Sequence, residues 1–207
     1  RAMTLDEVEE VIQAYIGAAV RCEKAGFDGV EIHAANGYLV EQFINTASNK
    51  RDDEYGGSIE NRIRFAVEVA QDVVEAIGAG RVGIRVSPYG VFNGMEIYDD
   101  LDATYAALSK ELGNLGLAYI HTVNHSSMGT PPVPESVFQI IRENFDGPVI
   151  LSGGYDKARA EADLEAGKGE LVAFGRPYLA NPDLEHRFKN DLELNAPDPN
   201  TFYVPGE

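Results

Sequence analysis

Gly29-Val30-Glu31-Ile32-His33 and Val82-Gly83-Ile84-Arg85-Val86 are two short apolar stretches that carry polar residues at alternate positions. Side chains of a strand alternate between its two faces. If Val30 and Ile32 turn outward beneath helices, Glu31 and His33 share the opposite face. The same parity turns Val82, Ile84 and Val86 outward and Arg85 inward. An arginine in mid-strand is costly to bury unless something pairs with it. Two partners compete: an inward carboxylate such as Glu31, or an anionic or electron-rich cofactor. The distribution of the remaining polar residues favours the cofactor.

Working outward, one unit recurs: an amphipathic helix, a turn and a short apolar strand. Thr4 and Glu7 have the spacing of a capping box. Val8, Val11, Ile12, Tyr15, Ile16 and Ala19 follow as an apolar stripe, and Gly26 stops the helix. A long loop follows the first strand, and Ser58 opens a second helix that leads to Val82–Val86. Further helices are expected over 101–115, 135–144 and 156–166, with strands over 117–123, 149–152 and 171–174. From Asn181 onward the tail reads as a short helix and an irregular arm. Alternating helices and strands predict a parallel sheet with helices outside it. The G-x-G-x-x-G expected of a Rossmann-type sheet is absent.

Polar residues gather at the carboxyl end of each strand: His33, Asn36 and Tyr38; Arg85, Ser87 and Phe92; Asn124 and His125; Gly153-Gly154; Gly175-Arg176. In (β/α)₈ barrels the active site occupies this face, and the loops after the last two strands often hold a phosphate. Glycines there admit backbone N–H groups to a phosphate, the next helix's amino end adds to the attraction, and Arg176 can clamp it bidentately. Gly-Gly and Gly-Arg are each, alone, ordinary turn chemistry; both at consecutive strand ends carry more weight. His33 and Asn36 offer two neutral donors suited to a developing oxyanion. A phenol, as at Tyr38, suits proton delivery rather than abstraction at neutral pH. A hydrogen-bonded core histidine is the rival reading of His33. No spacing of His, Cys and carboxylates suggests a metal.

Composition sets outer bounds. The 207 residues, 44% hydrophobic, can bury a sizeable core. Against 34 Asp+Glu, 17 Lys+Arg leave a net charge of −17, which argues against a nucleic-acid partner. No apolar run approaches the roughly 18 residues of a membrane helix. The single cysteine, Cys22, offers no disulfide framework and is expected as a small buried hydrophobe; a reducing cytoplasm fits best. Arg1-Ala2-Met3 directly before a capped helix, and Val204-Pro205-Gly206-Glu207 at the other end, read as the limits of a piece of something longer.

The motifs closely resemble those of the Old Yellow Enzyme family. His33-Ala34-Ala35-Asn36-Gly37-Tyr38-Leu39, Gln42-Phe43 and the block from Ser48 to Arg62 carry the most specific part. Arg85-Val86-Ser87-Pro88, Phe92-Asn93-Gly94-Met95, Gly153-Gly154, Phe174-Gly175-Arg176-Pro177, Asn181-Pro182-Asp183-Leu184 and Phe202-Tyr203 extend it along nearly the whole chain. The resemblance implies an α/β fold, the (β/α)₈ TIM barrel, with residues 1–207 supplying roughly its last five β/α units as the carboxyl-terminal part of one FMN-binding domain. The family's first three strands would come from elsewhere, in the same or a separate chain. The resemblance also implies a chemistry: FMN, reduced by NAD(P)H, passes hydride to the β-carbon of an α,β-unsaturated carbonyl or nitro compound. His33 and Asn36 would bind the substrate oxygen, and Tyr38 would protonate the α-carbon from the opposite face. Arg85 would lie at the flavin's pyrimidine edge. Gly153, Gly154, Gly175 and Arg176 would hold the FMN phosphate, and Phe92 and Tyr203 would line the substrate space, with core packing the rival for Phe92.

Asp52 to Arg62 reads as structural. Val204-Pro205-Gly206 stands where the family has a Gly-rich segment, and the Cys-rich segment of iron–sulfur relatives is absent from this stretch. The competing readings are a non-catalytic or engineered fragment that binds no flavin, and a related FMN barrel such as a dienoyl-thioester reductase or amine dehydrogenase.

Overall fold

A computed structural model describes residues 1–203. The chain runs α1 (Leu5–Lys24), β1 (Val30–Ala34), α2 (Leu39–Ile44), α3 (Ile59–Ile77), β2 (Val82–Val86), α4 (Leu101–Asn114), β3 (Tyr119–Val123), α5 (Glu135–Asn144), β4 (Val149–Ser152), α6 (Lys157–Glu165), β5 (Leu171–Ala173), α7 (Arg176–Ala180) and α8 (Leu184–Lys189). The five strands form one sheet in sequence order, every neighbouring pair parallel. His33 stands in register with Arg85, and Arg85 with His121.

The helices form where the sequence patterns place them. Thr4 Oγ1 accepts the Glu7 N–H at 3.2 Å, and the Glu7 carboxylate accepts the Thr4 N–H at 2.8 Å, so two of the helix's orphan donors are satisfied. Val8, Ile12 and Ala19 are buried, and α1 packs on α3. The outward face of the sheet is the core: Ile32, Val82, Ile84, Val86, Ile120, Val149 and Leu151 are buried with the helical stripes. Each such aliphatic side chain contributes roughly 1.5–3 kcal/mol by leaving water.

Two short helices lie where the sequence reads as loop and strand end, α2 and α7. Each is under two turns, too short for a 3.6-residue apolar period to register. Cys22 is half-buried and free rather than buried. The stretch from Arg51 to Arg62 folds back as a buttress, in which the buried Arg62 guanidinium donates to the carbonyls of Ile44 and Gly57 and to the Asp100 carboxylate. Among the described residues no helix is long and apolar enough to cross a membrane.

Candidate active site

A cleft of about 1130 Å³ opens along the carboxyl ends of the strands. Asn36, Tyr38, Arg85, Phe92, Gly153, Gly154, Gly175, Arg176 and Tyr203 all line it. His33 does not, although its ring lies 5.3 Å from that of Tyr38. The loop after β1 presents Asn36 and Tyr38 because Asn36 (φ 61) and Gly37 (φ 73) turn the chain left-handed. A Cβ on Gly37 would sit 2.4 Å from the Phe92 carbonyl oxygen, so this turn against the β2 loop requires glycine. Tyr38 caps α2 and is 56% exposed.

Glu31 does not pair with Arg85. Its carboxylate lies 2.9 Å from His121 Nδ1 on β3, and among the described residues Arg85 Nε is buried without a partner. Asn36 Oδ1, His121 Nε2 and His125 Nδ1 are likewise buried and unpartnered. Burial, seconded by the charge of Arg85, holds His33 below the usual histidine range, with Glu31 opposing. The same two causes lower His125. Both rings are therefore neutral at pH 7, each a donor at one nitrogen and an acceptor at the other. Burial opposes the ionisation of Glu31, but its bonds to His121 and Tyr119 and the charges of His121 and Arg85 outweigh it and lower its pKa.

Glycines in the two later loops differ in what requires them. A Cβ on Gly153 would lie 2.0 Å from the Asn124 carbonyl oxygen and one on Gly154 2.4 Å from Ser127 Cβ, so the fold itself requires both. At Gly175 a Cβ would meet no protein atom within 4 Å, and its φ of −93° is open to any residue. Arg176 is exposed at the first position of α7, on the same cleft. Tyr203 is 96% exposed, and Val204 to Gly206 lie outside the described residues.

Three residues given no role from the sequence also shape the site. His121 faces the interior two positions before Val123, the same alternation that places Arg85. His125 lines the cleft with its ring 4.6 Å from Phe92, edge to face. Asn93 Nδ2 donates to the Asn36 carbonyl at 2.7 Å.

A parallel β/α sheet with a cleft at the carboxyl ends of its strands is the arrangement of (β/α)₈-barrel enzymes. The chain belongs to the NADH:flavin oxidoreductase / NADH oxidase family, whose sequence profile matches residues 1–195 and whose cofactor is FMN. It is 45% identical over 209 residues to putative 12-oxophytodienoate reductase 5 of Oryza sativa subsp. japonica, covering 99% of this chain and 55% of that protein. Morphinone reductase superposes with a TM-score of 0.95 at 44% identity, covering all of this chain and 55% of that one. The old yellow enzyme homologue from Zymomonas mobilis gives a TM-score of 0.94 at 36% identity, over 100% and 58% of the two chains. The chain thus spans about half the length of the curated relatives it matches. Its fold is that of the last five β/α units of the old yellow enzyme TIM barrel.

Proposed function

We propose that the protein containing this chain is an ene-reductase that reduces the C=C bond of α,β-unsaturated carbonyl or nitro compounds at the expense of NAD(P)H. The observation that carries this reading is a set of buried, unpartnered polar atoms on the cleft side of the sheet, headed by Arg85 Nε. A buried donor without a partner costs roughly 1–3 kcal/mol, so it points to a ligand that completes it. A flavin fits: its ring offers acceptors to Arg85, and the open space beside Gly175 with Arg176 suits its phosphate. Gly153 and Gly154 bring backbone to the same end of the cleft. FMN, when bound, supplies the hydride that it has taken from NAD(P)H.

The remaining chemistry belongs to side chains. Neutral His33 and Asn36 donate hydrogen bonds to the carbonyl or nitro oxygen and so polarise the alkene. Tyr38 gives its phenolic proton to the α-carbon as the β-carbon is reduced, which balances the addition of one hydride and one proton. Phe92, Tyr203 and His125 shape the space for the substrate. Activity needs the barrel strands that precede these five, in the same chain or a second one. The half-buried lone Cys22 suits a cytoplasmic protein.

The test is direct. The full-length protein, purified, should be yellow with a flavin absorption band and should oxidise NAD(P)H anaerobically when 2-cyclohexenone is added. A colourless protein that neither takes up FMN nor turns over the enone overturns the reading.

A further inference from the structure

Asn36 and Gly37 are consecutive left-handed residues, and side chains from outside the pair hold all four of their backbone polar groups. The Asn36 N–H donates to Ser87 Oγ at 2.8 Å, and its carbonyl accepts from Asn93. The Gly37 N–H donates to Glu41 Oε2 at 2.6 Å, and its carbonyl accepts from Gln42 Nε2 at 2.8 Å. Ser87 Oγ, which accepts from Asn36, donates its one proton to the Glu41 carboxylate, 2.9 and 3.0 Å away. Glu41 is thus joined to both left-handed residues, directly to Gly37 and through Ser87 to Asn36.

Glu41 is 3% exposed, and no cation is among the groups that set its ionisation. A buried, unpaired carboxylate is expensive, and an apolar side chain would fill the same space more cheaply. Three donors converge on it instead: Gly37 N–H, the Ser87 hydroxyl and the Tyr105 hydroxyl. An ionised carboxylate, which accepts at every lone pair and donates nowhere, satisfies all three at once.

We propose that Glu41 is a positioning residue that fixes Asn36 and Tyr38 through Gly37 and Ser87; this rests on the reading of that loop as the substrate-oxygen and proton-donor site. Burial pushes the Glu41 carboxyl up to about 7, against its bonds from Gly37, Ser87 and Tyr105. The other ionisable groups facing it are Tyr105 of α4, raised well above the usual phenol value, and Tyr98 before α4, pushed up to about 12. Neither titrates near neutrality. As pH falls through about 7, the carboxyl takes up a proton and its bonds from Gly37 and Ser87 weaken.

The test uses the full-length, flavin-loaded protein and its Glu41→Gln and Ser87→Ala variants. Each should raise KM for 2-cyclohexenone by roughly tenfold, the scale of one buried hydrogen bond. The double variant should fall short of the product of the two single effects, because Ser87 and Glu41 share one bonded network. FMN affinity by fluorescence titration should stay near wild type, and the melting temperature should fall only modestly, as expected for a buried donor left without its partner. KM of the wild type should rise as pH falls through about 7, and Glu41→Gln should lack that limb. An unchanged KM and pH profile overturns the proposal, as does a parallel loss of FMN affinity and stability. If Glu41→Gln does not fold, Ser87→Ala carries the same KM, FMN and melting readouts. If His33→Ala and Asn36→Ala also leave KM unchanged, the substrate reading falls and takes this inference with it; if they raise it while Glu41→Gln does not, only this inference falls.

Discussion

Glu31 of β1 reaches past the intervening strand to His121 Nδ1 of β3, 2.9 Å away, and so leaves Arg85 of β2 without a carboxylate. Replacing Arg85 by Met keeps the stem and removes the charge. A lost hydrogen bond from a charged donor costs about 1.5–3 kcal/mol, so FMN affinity of the full-length apoprotein should fall by about 10- to 100-fold. His33 and His125 should titrate at higher pH in the variant, because the Arg85 charge helps hold both down, although burial, the larger cause, remains. Fluorescence titration with FMN and NMR titration of the rings check the two effects. An Arg85 that merely packs in the core predicts unchanged FMN affinity.

The proposed oxyanion pair, His33 and Asn36, gives a second expectation. His33→Ala and Asn36→Ala should each slow reoxidation of the reduced protein by an enone and weaken phenol binding. Removal of one such donor typically costs about 3 kcal/mol at the transition state. The depressed His33 pKa also fixes a direction for stability. The unfolded chain takes up a proton first, so this residue's contribution is present above the unfolded value of about 6.5 and is lost as pH falls below it. Denaturant melts of wild type and His33→Ala at pH 7.5 and 5.5 should converge at the lower pH, and enone turnover unchanged in both Ala variants would remove the pair from the site.

How much of this was legible without coordinates follows from the range of each interaction. The capping box from Thr4 to Glu7, the parity that turns Arg85 inward and the glycines after β4 and β5 are local patterns, and local patterns survive in a sequence. The pairing of Glu31 with His121 spans 90 residues and depends on how far the sheet curls, which no spacing encodes. Glu41 was invisible for a different reason. On a six-residue helix an acid reads as a solvated first-turn residue, and only packing against Ser87 and Tyr105 buries it. The doubled glycine at 153–154 suggested a phosphate, yet close contacts with Asn124 and Ser127 already demand it, so sequence alone could not separate the two causes.

Completeness is the third expectation. Among the described residues β1 and β5 end the sheet with unpaired edges, and the cleft side carries buried polar atoms without partners. Open edges and an unfilled barrel interior favour association over a stable monomer. Residues 1–207 expressed alone should therefore aggregate or stay partly unfolded. A reversible, cooperative melt of a monomer, established by light scattering on the same sample, would show the five units to be self-sufficient.

Tyr38 gives the last expectation, and the structure makes the variant a clean one. Its ring stands 5.3 Å from His33 at a 49° tilt, and its side chain forms no capping bond with α2. At 56% exposure, Tyr38→Phe keeps the packing and removes only the acidic proton, so melting should barely change. The half-reaction in which NAD(P)H reduces the protein needs no proton from this residue and should remain near normal. On the proposed mechanism reoxidation by 2-cyclohexenone does need one, and a general acid typically contributes about 10² to 10⁴-fold. Molecular oxygen offers no α-carbon to protonate, so oxidase turnover should survive. A Tyr38 that only packs against its neighbours predicts the same change in all three measurements, or none. Stopped-flow traces of the two half-reactions discriminate: equal slowing of both removes the proton-donor role, whereas a loss confined to the enone assigns the proton to the Tyr38 hydroxyl.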